Sequence, residues 1–234
     1  MKIVGLNKEN IIKISKLKDE EDWVLNYRLE SYNEFLKLKE PSFGPKVQVD
    51  LENMTLYKYE EEKKSVSNWE NVRKNIKCQM DELGVTSGEK SLGGMGIQYE
   101  SEMVYQSLRK DLEEKKVIFC SIEDAIKNHS ELVQKYLGKL IKNSEHRYSA
   151  LNSTLFSGGS FIYVPKNTVL DRPLQSYFRI DTENLGQFER TLIIIDDNSS
   201  ASYIEGCTAP ISSIDSLHAA NVEVYVGKNS YFRF

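Results

Sequence analysis

Cysteine, histidine and proline are scarce in this chain of 234 residues, numbering three, three and five. Cys78, Cys120 and Cys207 are odd in number and far apart, which argues against a disulfide framework and suits a reducing compartment. No CxxC pair occurs, and His129, His146 and His218 stand alone, so neither zinc-finger nor HExxH spacing can be written. A metal site has to be assembled by folding or by a partner. Long apolar runs are missing too: none approaches the roughly 18 residues needed to span a bilayer. The N-terminal MKIVGLNKENIIKISKLKDEEDW lacks the continuous apolar stretch and small-residue cleavage site of a secretory signal. The reading is a chain that starts near Met1 and stays in the cytoplasm, or in the stroma of a plastid-like organelle. An excess of one charge is also lacking. Thirty-one basic side chains face 35 acidic ones, which leaves no electrostatic footprint for nucleic acid.

What is present is enough for a folded core: 40% of residues are apolar and 28% are charged with mixed signs. The charges are unevenly placed. The first 150 residues hold 25 of the basic and 26 of the acidic side chains, and the last 84 hold the remaining 6 and 9. Residues 1–150 are therefore read as a mainly helical region. Leu25, Leu29, Tyr32 and Leu36 recur at helical spacing in a segment that should end near Pro41. Further helices are expected at Trp69 to Leu83, stopped by Gly84, and at Glu102 to Lys116. Ser121-Ile-Glu-Asp124 resembles a capping box, starting a helix that breaks near His129-Ser130 and ends at Gly138.

After Leu151 the pattern changes to short runs rich in Val, Ile, Tyr and Phe: SFIYV, QSYFRI, FERTLIII, ASYIEG, HAANVEVYV and SYFRF. Turn clusters separate them at Gly158-Gly159, Lys166-Asn167, Glu183-Asn184, Asp196-Asp197-Asn198 and Gly227-Lys228-Asn229. No helix-length segment lies between the runs, so alternating βαβ units are excluded. The fold class is α+β, with a sandwich, a barrel or a β-helix open for residues 151–234. No strict repeat chooses among them. The final Tyr231-Phe-Arg-Phe234 reads as a strand that leaves an open edge.

At GSFIYVPK (159–166), LQSYFRI (174–180), GQFERTLII (186–194), SYIEGCTAP (202–210) and LHAANVE (217–223) the chain resembles the SufB family, scaffold subunits of the Suf iron–sulfur cluster assembly machinery. VIFCSIEDAI (117–126), ELVQKYLG (131–138) and RLESYNEFLKLKEPSFG (28–44) keep the same order. The resemblance implies a helical N-terminal region followed by the first part of a right-handed parallel β-helix. Family members are about twice as long, so the chain corresponds to their N-terminal half. It further implies a SufC-type ATPase, a SufD-type subunit and a sulfur donor of a cysteine desulfurase system as partners. An iron–sulfur cluster would be built transiently and not held by this half alone, and the protein would be a sulfur acceptor and not an enzyme.

By the same resemblance Cys207, in Glu205-Gly-Cys-Thr-Ala-Pro210, receives sulfur as a persulfide, and Arg179 lies on the interior route that carries it. The chemistry needs a thiolate, which positive charge favours. Glu205 is two residues before Cys207 on one strand face and works against ionisation. Asp181 stands in the same relation to Arg179 and partly cancels its charge. Blander readings compete: Cys207 as a small core hydrophobe and Arg179 as a structural ion-pair member. Cys120 reads as core, Cys78 as an incidental thiol, and His218 as a hydrogen-bonded structural histidine or a ligand. Gly93-Gly-Met-Gly96 reads as a loop and Glu60 to Lys64 as a solvated linker. Two rival functions follow: a SufD-like supporting subunit, and a cysteine hydrolase or transferase with His218 as base to Cys207.

Overall fold

The computed structural model describes residues 1–44, 49–59, 65–210 and 216–234, the side chains of 86–88 excepted. The proposed linker Glu60 to Lys64 lies outside them. Near the N-terminus β1 (Lys2–Val4) pairs antiparallel with β2 (Thr55–Lys58), around two helices, α1 (Lys8–Leu17) and α2 (Asp22–Lys37). Asn7 caps α1 by accepting the Asn10 amide at 2.8 Å. Helix α2 is the amphipathic helix read from sequence, but its buried stripe is Val24, Arg28, Ser31 and Phe35, and Leu36 points to solvent. The stripe is turned because Arg28, which hydropathy assigns to the surface, is buried with its charge matched. It donates to both carboxylate oxygens of Glu20 at 2.8 and 2.5 Å and to the carbonyls of Thr154 and Phe156 at 3.1 and 2.8 Å.

Between Trp69 and Leu83 the chain makes a short 3-10 turn, Trp69–Asn71, and then α3 (Lys74–Glu82), followed by Gly84 at φ +68°. The helix expected at Glu102 to Lys116 is a correction. Residues Glu102–Leu108 form strand β4, and only α4 (Lys110–Glu114) is helical. Met103, Val104 and Tyr105 are all buried, so the strand shows no alternation that would separate it from a helix by pattern. The expected loop at Gly93 to Gly96 is likewise a strand, β3 (Gly94–Tyr99). A Cβ on Gly94 would lie 2.6 Å from the Ser107 carbonyl oxygen and 2.9 Å from the Phe119 ring, so close packing and not a turn requires glycine there.

Strand β5 (Ile118–Ser121) leads into α5 (Ile122–Asn128). Ser121 Oγ accepts the Asp124 amide at 3.0 Å, as the capping pattern requires. The helix breaks at His129, resumes as α6 (Ser130–Tyr136) and stops before Gly138 at φ +72°. Helix α7 (Arg147–Leu155) then delivers the chain to the strand region: β6 (Ser160–Val164), β7 (Leu174–Arg179), β8 (Gly186–Ile195), β9 (Ser200–Thr208), β10 (Leu217–Val226) and β11 (Tyr231–Arg233). These strands enter two sheets alternately. One runs β10-β8-β6-β5 and the other β11-β9-β7-β3-β4. Successive strands within each sheet are parallel: Phe161 pairs with Leu192, Leu174 with Tyr203 and Ser200 with Tyr231. Strands β5 and β4 are antiparallel additions, while β3 is parallel to β7. The segment before residue 150 thus contributes strands to both sheets as well as helices. The architecture is α+β.

One turn recurs. Asn167, Asn198 and Asn229, each 31 residues from the next, all have φ between 55° and 60°, a left-handed conformation that asparagine tolerates. Their side chains stack: Asn198 Nδ2 donates to Asn167 Oδ1 at 3.2 Å, and Asn229 Nδ2 to Asn198 Oδ1 at 3.3 Å. Beside them Ser199 Oγ accepts the Thr168 amide and Ser230 Oγ the Ser199 amide, both at 3.1 Å. FIYVPKNTV, LIIIDDNSS and EVYVGKNSY are therefore one repeated unit with little identity beyond the asparagine.

Near this turn the space between the sheets is apolar. Ile162, Val164, Leu174, Ile193, Ile195, Ala201 and Tyr203 form one buried cluster. The outer faces carry the helices: α5 and α6 pack where Phe161, Leu192 and Ile194 point, and α3 where Met95, Ile97 and Tyr177 point. Also outward, Arg190 donates to Asn152 Oδ1, Ser153 Oγ, the Ile141 carbonyl and Glu223 at 3.2, 3.0, 3.1 and 2.9 Å. Glu223 in turn accepts the amides of Gly138, Leu140 and Ile141 at 2.8, 2.9 and 3.1 Å, fastening the segment after α6 to β10.

Candidate functional site

Away from the asparagine turns the inner faces become polar. Side chains alternate along a strand, so Gln187, Glu189 and Thr191 share the inner face of β8 with Ile193 and Ile195. Glu205 and Cys207 likewise share the inner face of β9 with Tyr203, and His218 pairs in register with Gln187. Between this end and the apolar cluster the sheets meet through short contacts. Ser160 Oγ lies 2.6 Å from Ser176 Oγ, and the Tyr203 hydroxyl reaches Ser160 Oγ at 3.4 Å and donates to Glu205 Oε2 at 3.0 Å. The result is a compartment bounded by these hydroxyls and open toward Cys207, which is exposed.

Its electrostatics are acidic. Glu189 is 1% exposed, and burial pushes its carboxyl up to about 7, partly relieved by His218. His218 Nε2 lies 3.1 Å from Glu189 Oε1; burial lowers the imidazole, but contact with Glu189 and the charge of Glu205 raise it above its ordinary value. Burial also raises Glu205. For Cys207, burial first and then the charges of Glu189 and Glu205 hold the thiol up. The ionisation that sulfur chemistry requires is disfavoured from three directions.

Arg179 does not offset this. In the β7–β9 register Phe178 pairs with Cys207 and Arg179 with Thr208, which puts the guanidinium on the outer face and the thiol on the inner one. Arg179 donates to Thr208 Oγ1 and Asp181 Oδ1, each at 3.1 Å, and Asp181 also accepts the Tyr99 hydroxyl at 2.8 Å. The carboxyl of Asp181 sits below its ordinary value: burial opposes this, and hydrogen bonds from Tyr99, Gln79 and Arg179 prevail. Cys207 and His218 thus belong to one compartment, and Arg179 does not. Glu189 was missed in sequence because it lies inside the long strand run FERTLIII; its signal is a carboxylate at an inward position of an otherwise apolar strand.

The other thiols are placed differently. Cys120 is half-buried in β5 and pushed up to about 12 by burial and the nearby Asp124 and Glu123, while Cys78 is exposed on α3. Among the described residues no three His, Cys, Asp or Glu side chains are gathered as a metal site. No helix among them is long and apolar enough to cross a membrane.

Two stacked, mostly parallel sheets flanked by helices, with one thiol opening an acidic interior, define the class of molecule. The chain matches the description "SufBD protein N-terminal region" over residues 17–176, and "SUF system FeS cluster assembly, SufBD core domain" over 178–234. It belongs to the SufBD family. An iron-sulfur cluster assembly SufBD family protein of Staphylococcus saprophyticus is 45% identical over 232 residues, covering 98% of this chain and 50% of the relative. Proteins described in the same words from Staphylococcus epidermidis and Staphylococcus haemolyticus are 44% identical over the same length. The chain spans about half the length of the curated relatives it matches.

Proposed function

We propose that this chain forms the sulfur-accepting half of an iron–sulfur cluster assembly scaffold of the SufB type, with Cys207 as the acceptor. The observation that carries this reading is the position of Cys207, which is exposed at the mouth of the polar compartment between the sheets. In the transfer, the Cys207 thiolate attacks the outer sulfur of a donor persulfide. A new sulfur–sulfur bond forms, the donor's own breaks, and the donor leaves as a thiolate that takes up the proton. The alternation of parallel strands between two sheets, held by the asparagine turns, supports reading residues 151–234 as the first coils of a right-handed parallel β-helix. The proposed setting is the cytoplasm, with a SufC-type ATPase, a SufD-type subunit and a cysteine desulfurase sulfur donor as partners. The cluster is the product carried, at a site shared with a partner subunit that supplies its remaining ligands.

Two observations favour the SufD-like alternative: the acidic surroundings of Cys207 and the outward Arg179 suit a supporting subunit that takes up no sulfur. A cysteine hydrolase gains nothing, because His218 faces Glu189 and no hydrogen bond joins it to Cys207 among the described residues. Incubating the chain with a persulfide donor and locating the added sulfur by mass spectrometry separates these readings. Uptake at Cys207 that disappears in Cys207→Ala supports the acceptor. Equal labelling of the variant, or no labelling of either protein, favours the supporting subunit.

A further inference from the structure

We propose that Glu189 decides when Cys207 becomes reactive, with His218 as the residue that positions Glu189 and balances its charge. The compartment thereby keeps the thiol closed until a cationic group of an incoming donor neutralises the Glu189 carboxylate. This deepens the reading of Cys207 as sulfur acceptor, but the control of its reactivity can be measured without any sulfur donor.

Glu189 is nearly sealed from solvent, and neither of its carboxylate oxygens receives a well-formed hydrogen bond among the described residues. Among the described residues its ion-pair partner is His218 on the adjacent strand at 3.1 Å. When ionised, a carboxylate so placed is screened less than it would be in water, and its field acts on the neighbouring groups of the inner face. The groups facing Cys207 can be named strand by strand. Strand β8 presents Glu189, β9 presents Tyr203 and Glu205, and β10 presents His218. Strand β8 also presents Gln187 and Thr191, and β6 and β7 bring the hydroxyls of Ser160 and Ser176 and the ring of Phe178. Gln187 donates to the carbonyl of buried Glu100, whose carboxylate holds Lys58 at 3.2 Å, while Arg179 and Asp181 are held on the outer face. His218 is the cation-forming group engaged by Glu189, and Lys58 is engaged by Glu100. Neutralising Glu189 removes the larger of the two charges that hold the thiol protonated, ahead of Glu205.

The test is the rate of alkylation of Cys207 in the full chain as a function of pH, read by mass spectrometry on the Cys207 peptide so that Cys78 and Cys120 do not interfere. The wild-type midpoint is expected above the ordinary thiol value of about 8.5. Glu189→Gln should move it downward and speed alkylation by about three- to tenfold at a pH above neutrality but below the thiol midpoint, where Glu189 is ionised in the wild type, since lowering the midpoint by about one on the pH scale raises the thiolate fraction roughly tenfold. Glu205→Gln should move it less. A Glu189→Gln protein that melts like wild type and gives a superimposable profile overturns the proposal. So does a wild-type midpoint at or below the ordinary value, which decides the matter even if the variant fails to fold. A shifted profile combined with no persulfide uptake sinks the sulfur reading alone.

Discussion

Glu189 and Arg190 are adjacent on β8, yet their side chains meet opposite conditions. Arg190, outside, has four partners, and its counter-ion Glu223 collects three backbone amides besides. Glu189, inside, has one imidazole at 3.1 Å and, among the described residues, no well-formed hydrogen bond. Both are hidden from water. A buried charge held by a counter-ion and several hydrogen bonds fixes structure, whereas one left with a single neighbour stores a free-energy cost that a proton, a cation or a partner can release. The two faces of a single strand therefore divide the work: the outer one locks the helices to the sheet, and the inner one stays responsive.

The sharpest way to break the outer face is Glu223→Ala. It strands Arg190 without its carboxylate and frees the 138–141 segment, so it should cost about 3–5 kcal/mol in urea unfolding, as loss of one member of a buried pair does. The inner face should respond in the opposite sense. The Glu189 carboxyl rises from its ordinary 4.5 to about 7 in the folded chain. Between those values the folded state keeps a proton that the unfolded state has lost, so stability falls as pH rises through the window. His218, also raised, adds stability below its ordinary 6.5 that is lost as pH climbs through its folded value, which works in the same direction. Glu189→Gln should flatten this decline and gain on the order of 1–3 kcal/mol relative to wild type above neutrality, since a tenfold change in proton affinity is worth about 1.4 kcal/mol. Melting both proteins across the pH range tests the sign; a parallel decline would show that Glu189 is not its source. The smallest effect is expected remote from both charges, at the turns. Asn198→Ala forces alanine into a left-handed conformation and should lose about 1–2 kcal/mol, with Asn198→Gly recovering part of it in the same melting assay.

Much of the strand region was legible because turn chemistry is local. Asn167, Asn184, Asn198 and Asn229 all take positive φ at the turn clusters, and SFIYV coincides with β6. The capping serine at 121 was equally plain. Elsewhere, burial on both faces concealed β3 and β4, since a strand covered on each side has no alternation to detect. The buried Arg28 turned the stripe of α2 for a related reason: hydropathy cannot register a charge neutralised by Glu20 ahead of the helix and by carbonyls at the distant end of α7. The 31-residue unit escaped notice because it conserves one asparagine, a following Ser or Thr and an apolar run, but few identities. At the site, Cys207 and Glu205 could be placed on one face by parity. The pairing of Glu189 with His218 depends on a register between β8 and β10 that no local signal encodes, and the outward direction of Arg179 depends likewise on the register of β7 with β9.

The asparagine column also acts as a ruler. Each amide reaches one coil back, so the contour length from one turn to the next is fixed at 31 residues however the intervening segments are divided. Val169 still pairs with Ser200 at an offset of 31 whereas Leu174 pairs with Tyr203 at 29, so two extra residues are taken up at 170–173, directly after the asparagine turn, and the offset of 31 returns by Gly186–Leu217. Length changes should therefore be accommodated on either side of β7, at 170–173 and at Ile180 to Leu185, the second close to the mouth of the compartment. Evolution or an engineer could reshape the entrance there by insertion while the stack stayed in phase.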